Sequence, residues 1–139
     1  MTPGDLYGFK LATDVSVEWL VVREMDGLYL LVPADDTPMV GTCDVRLPSA
    51  RQPGQAEMIA RCGLSTWAHP ADLSRRGPVR FGAVDATDLG VVRVVLSRLA
   101  RGVIPGGDGP DDDDPTYWHL CQELERLGIE LNGGLIPSG

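Results

Sequence analysis

Three sets of side chains in this 139-residue chain are of types that do chemistry. Glu18, Asp35 and Asp36 are carboxylates near the ends of neighbouring extended segments, and such a set can pair a general acid with a general base, as in glycoside hydrolysis. Arg75, Arg76 and Arg80 make the one local basic patch, and guanidinium groups clustered this way suit a phosphate or RNA contact. His69, His119 and the cysteines Cys43, Cys62 and Cys121 are the remaining ligand or nucleophile types. Each set also has a plainer explanation. Carboxylates at strand ends usually stand in solvent, and an arginine cluster usually serves solubility and pairing with acids elsewhere in the chain. Three cysteines without a C-x-x-C pair, with two scattered histidines, do not offer the about four ligands of a structural zinc site. No G-x-S-x-G elbow supports a serine triad. The expectation is reduced thiols, no metal and no cofactor.

Charge is unevenly placed. Of the net −8, residues 1–103 carry −1, from 11 Lys and Arg against 12 Asp and Glu. Residues 104–139 carry −7, from 1 against 8. A nearly neutral body with an acidic tail is not the profile of a nucleic-acid binder, so any RNA contact is expected to be weak. No apolar run approaches the ~18 residues of a membrane span, and Met1 to Asp5 are unlike a signal peptide. The expectation is a cytoplasmic protein that makes no membrane contact.

The elements that must position these residues are mostly short strands. Leu6–Leu11 and Val17–Arg23 read as strands, and Asp26-Gly27 is a hairpin signal returning through Leu28–Val32. Pro33 to Pro38 should break that strand. Thr42–Leu47 is a further strand, and Ser49–Gln55 a loop. Met58-Ile59-Ala60 begin the stretch that organises the chain, with Leu64, Trp67 and Leu73 leading to a turn at His69-Pro70 and a short strand at Val79-Arg80-Phe81. A helix over about 85–101 follows, capped by Asp85 or Thr87, with Leu89, Val92, Val95, Leu96 and Leu99 at helical spacing. The fold class is mainly β with α: a small, strongly bent antiparallel barrel with a helix packed on it.

Gly4-Asp5-Leu6-Tyr7, Trp19-Leu20-Val21-Val22, Val32-Pro33, Asp44-Val45-Arg46-Leu47-Pro48, Leu64-Ser65-Thr66 with Ala71-Asp72-Leu73, and Asp85-Ala86-Thr87-Asp88-Leu89 occur in an order that resembles the MazF/PemK toxins. The resemblance covers residues 3 to about 101 and implies an SH3-like barrel, usually dimeric. It also implies metal-independent RNA cleavage by an Arg before the second strand and a Thr or Ser after the third. Here Val17 or Glu18 stands at the Arg position. Asp35 or Asp36 takes the hydroxyl position, with Thr37 close by. Carboxylates there repel a scissile phosphate, and losing one oxyanion-type donor alone costs ~2.7–4 kcal/mol. No catalytic residue is therefore expected, unless Arg23 or Arg46 has taken over the role.

Residues 1–103 form the barrel domain on this reading, and residues 104–114 an acidic Gly/Pro linker. Residues 115–139 are a C-terminal helical extension, with a helix over about 115–127. Asp114 is its N-cap and Pro115 its first residue. Its stripe of Tyr117, Leu120, Cys121, Leu124 and Leu127 completes the core or covers a groove, and Gly128 is its expected stop. The expected function is a catalytically degenerate MazF/PemK-like interaction module that binds a protein partner or itself. Trp19, Tyr29 and Trp67 are candidate interface aromatics, although core packing explains each as well. The alternatives are an active endoribonuclease toxin of a toxin–antitoxin system, or an unrelated small barrel.

Overall fold

The computed structural model describes residues 1–11, 17–50, 56–103 and 112–133. The expected connection at 12–16, most of the 49–55 loop with Arg51, the linker at 104–111 and the end of the chain lie outside the described residues. The strands are β1 (Asp5–Gly8), β2 (Glu18–Met25), β3 (Leu28–Asp35), β4 (Asp44–Leu47), β5 (Met58–Arg61), β6 (Thr66–Ala68) and β7 (Val79–Ala83). They pair antiparallel in the order β4-β5-β3-β2-β1-β7, with β6 also on β3. The helices are α1 (Pro70–Ser74), α2 (Ala86–Ala100) and α3 (Pro115–Leu131). The fold is mainly β with α, as the strand spacing predicts, but the sheet does not close into a barrel.

Local chemistry explains most boundaries. Asp26 and Gly27 both take positive φ, 54° and 76°, as a two-residue hairpin turn between β2 and β3 requires. β3 then runs past Pro33 to Asp35 instead of breaking. Pro33 falls between the residues paired to β6, which end at Leu31, and those paired to β5, which begin at Ala34. On that side no ladder bond is asked of it. In β2 the register passes from Val21 opposite Leu31 to Arg23 opposite Leu30, leaving Val22 as a bulge. Its carbonyl accepts from Arg93 Nη2 of α2 at 2.7 Å, so the bulge leaves no buried acceptor unmet.

Both faces of the sheet are covered, so β2 and β3 read as continuous apolar runs. Leu20, Val22, Val32 and Leu47 pack with Leu89 and Val92 of α2. Trp19, Val21 and Leu31 pack with Leu124, Leu127 and Leu131 of α3 and Leu73 of α1. α3 therefore completes a core shared with the sheet. It runs four residues beyond the expected Leu127 end, because Gly128 is not a stop: it is buried within the helix, beside Trp19 and Thr66. Asp85 caps α2 by accepting from the Asp88 N–H at 2.9 Å, and Asp114 caps α3 by accepting from the Thr116 N–H at 2.8 Å. Among the described residues no helix is long and apolar enough to cross a membrane.

Gly90 lies inside α2, and a Cβ built on it meets no atom within 4 Å. Gly90→Ala is expected to stabilise the chain by roughly 0.5–1 kcal/mol through the lost backbone freedom of glycine. An upward shift of the urea midpoint checks this, and an unchanged or lower midpoint contradicts it.

Candidate functional site

The last residue of β5, Arg61, is only 1% exposed. Its guanidinium meets Asp35 at the end of β3 face to face, Nε donating to Oδ2 at 2.9 Å and Nη2 to Oδ1 at 2.8 Å. Nη1 donates to Asp44 Oδ2 at the start of β4, at 2.8 Å, and to the Met39 carbonyl. Nη2 also donates to the Thr37 carbonyl at 3.0 Å. All five N–H groups of the fork thus have acceptors. The acceptors are themselves held. The Thr37 N–H donates to Asp35 at 2.9 Å, and the Gly41 N–H and Tyr117 hydroxyl donate to Asp44 Oδ2 at 2.7 and 2.6 Å. Tyr117 of α3 also presents its ring to the guanidinium, 5.8 Å from the centroid. Burial works against the Arg61 charge, but the bonds and charges of Asp35 and Asp44 more than offset it and push its pKa up. Burial, then the bond to Asp44, pushes the Tyr117 phenol up.

Asp35 is therefore not the solvated carboxylate that the sequence suggests. It is 6% exposed, and its charge is matched by Arg61. Beside it lies a cavity of about 560 Å3 lined by Glu18 and Asp36, by Leu6 and Met58, and by Phe81–Ala83 of β7. It sits where the open sheet leaves β7 apart from the ends of β3 and β5. No lysine or arginine is among its described lining residues. The Glu18 carboxyl is pushed up by burial and by the charge of Asp36. Ser49 also lines the space, but its hydroxyl donates to Asp88 and accepts from the Asp85 N–H, so it is tied to the start of α2. An arrangement of this kind attracts a cation and repels a phosphate.

The other singled-out residues fall elsewhere. Arg23 is exposed near the hairpin, and Arg46 is 63% exposed at 3.8 Å from Glu57, so neither lines the cavity. Thr37 contributes backbone to the Arg61 cluster. Arg75, Arg76 and Arg80 each hold an acid: Asp72, Glu130 at 3.3 Å and Asp5 at 3.2 Å. Arg80 is drawn to β1 by its pair, whereas Arg75 and Arg76 stay together with Lys10 around a smaller pocket that Asp72 also lines. Trp19 is fully enclosed between the sheet and α3, while Trp67 and Tyr29 are half-buried against the two cores. His69 precedes α1, and His119 packs on Trp118, both exposed and away from the cavity.

The cysteine thiols are free, and burial pushes each one up, Cys62 to about 12, so none is a ready thiolate near neutral pH. Among the described residues no group of three His, Cys, Asp or Glu side chains is placed to hold a metal ion. Sequence reasoning missed the Arg61 cluster, whose members lie 26 and 17 residues apart. The one available signal was an arginine in an otherwise apolar strand, Met58-Ile59-Ala60-Arg61. No family model matches the chain, and no curated protein matches it.

Removing one partner of a buried ion pair strands the other, so Arg61→Met is expected to cost about 3–5 kcal/mol, read as a lower urea midpoint. Adding Asp35→Asn to that variant should recover part of the loss, and a fully stable single variant would contradict the role given to Arg61. For Glu18 the sign runs the other way from a salt-bridged acid. Its pKa is raised on folding, so its contribution is most favourable below its ordinary value of 4.5 and is lost as pH rises through the folded value. Glu18→Gln should therefore raise the melting temperature at pH 7 relative to the native chain, with the gain vanishing in acid. A gain that persists unchanged in acid contradicts the assignment.

Proposed function

We propose that this chain is a MazF/PemK-like module that has lost its ribonuclease site and works by binding a protein partner or a second copy of itself. The observation that carries this reading is the sign of the cavity at the positions matched by resemblance. Glu18 and Asp36 line it, Asp35 is neutralised from behind, and no basic side chain is among its described lining residues. Phosphoryl transfer needs positive charge or donors aimed at the phosphate oxygens, and two carboxylates supply the reverse. Among the described residues Arg61 is the one guanidinium bonded to the site, and its donors are committed inward.

Binding also has surfaces to use. Val79 and Phe81 on β7, and Val91 and Val94 on α2, are each about half exposed. Exposed aliphatic and aromatic side chains on a terminal strand and a helix face suit a protein contact more than a polynucleotide. The cytoplasmic setting and the toxin–antitoxin context belong to this proposal as well. An active endoribonuclease with a relocated arginine is the second reading, and the positions of Arg23 and Arg46 away from the cavity count against it.

The test is metal-free incubation of the full chain with single-stranded RNA, together with its expression in a growing bacterium. Intact RNA and unimpaired growth are expected. Cleavage that is lost in Arg23→Ala or Arg46→Ala would overturn the proposal.

A further inference from the structure

The cavity beside β7 combines three properties. Its charge is negative and not cancelled: Glu18 and Asp36 have no cationic partner among the described residues, whereas Asp35 is matched by Arg61. Its remaining wall is apolar, with Leu6, Met58 and the half-exposed Phe81 ring. At about 560 Å3 it has the size of a side-chain or small-ligand pocket, for which roughly 300–1,000 Å3 is usual.

The wall contributed by residues 81–83 adds a second, independent feature. They belong to the terminal strand of the sheet, and among the described residues β7 has β1 as its one ladder partner. A terminal strand keeps a row of unpaired N–H and C=O groups, which an extended segment of another chain can meet by strand addition. Gly82 leaves open space at its Cα, where a Cβ would meet nothing within 4 Å. The face of the sheet beside the cavity is thus open there, which leaves room for a side chain entering from the edge.

We infer that this cavity takes a lysine or arginine side chain from an extended basic segment of a partner protein, laid along the free edge of β7. The inference rests on the proposed binding function and supplies the chemistry of the partner. The methylene stem of the incoming residue packs on Leu6 and Met58, its cation sits between Glu18 and Asp36, and Phe81 offers a ring face to it. Acidic peptides and nucleic acid are excluded by the same two carboxylates.

The experiment uses the isotope-labelled full chain and a short acetylated peptide of alternating arginine and threonine, followed through amide resonances. A matched peptide with glutamate in place of arginine and a short single-stranded RNA serve as the other arms. The arginine peptide should move the amides of Glu18, Asp36 and Phe81–Ala83, and the other two ligands should leave them in place. The Glu18→Gln, Asp36→Asn double variant changes two partly exposed side chains and should weaken the arginine peptide at least about tenfold, which is the scale of ~1.4 kcal/mol. Equal binding by the glutamate peptide or by RNA at these amides overturns the inference. So does an unchanged affinity in the double variant, or a response confined to the acidic residues preceding α3. RNA cleavage is read in a separate assay. Intact RNA without peptide binding sinks only this inference, whereas cleavage sinks the functional reading beneath it.

Discussion

A guanidinium withdrawn from water offsets the cost of its buried charge only when each N–H finds an acceptor and charges of the opposite sign stand among those acceptors. Arg61 imposes that condition on three separate parts of the chain at once. The end of β3 must deliver Asp35, the start of β4 must deliver Asp44, and the segment between them must turn two carbonyls inward at Thr37 and Met39. α3 must then bring the Tyr117 hydroxyl onto Asp44. Gly41 permits this approach, since a Cβ there would collide with the Tyr117 phenol. The course of residues 35–44 is thus set by one cation more than by apolar burial.

The same condition shapes the surface beside it. Because Arg61 cancels Asp35 from the inner side, the acids left over at the cavity are Glu18 and Asp36, one on each of two adjacent strand ends. Their mutual repulsion is part of what raises the Glu18 carboxyl. The region is therefore split into a satisfied interior and an unsatisfied exterior within a few residues of chain. Such a division suits recognition of a charged partner better than bond-breaking at a phosphate.

Much of this architecture was legible in local chemistry. The Asp26-Gly27 hairpin, the Asp85 and Asp114 caps and the Pro115 helix start are each written in a few adjacent residues, and they occur where those residues place them. What could not be read depends on partners far along the chain. Pro33 looks like a strand breaker until β5 and β6 are known to meet β3 on either side of it. Gly128 looks like a helix stop until Trp19 is found beside it. Asp35 looks like a solvated acid until Arg61 arrives from another strand. The acids that pair with Arg75, Arg76 and Arg80 are hidden for the same reason, because they stand on three different elements.

The placement of α3 on the sheet has a consequence for how the chain is made. Trp19, Val21 and Leu31 are translated well before the residues that cover them, Leu124, Leu127 and Leu131. Asp44 likewise waits for a phenol 73 residues downstream. Until that later segment has been made and docked, the nascent protein shows an oily sheet face to its surroundings.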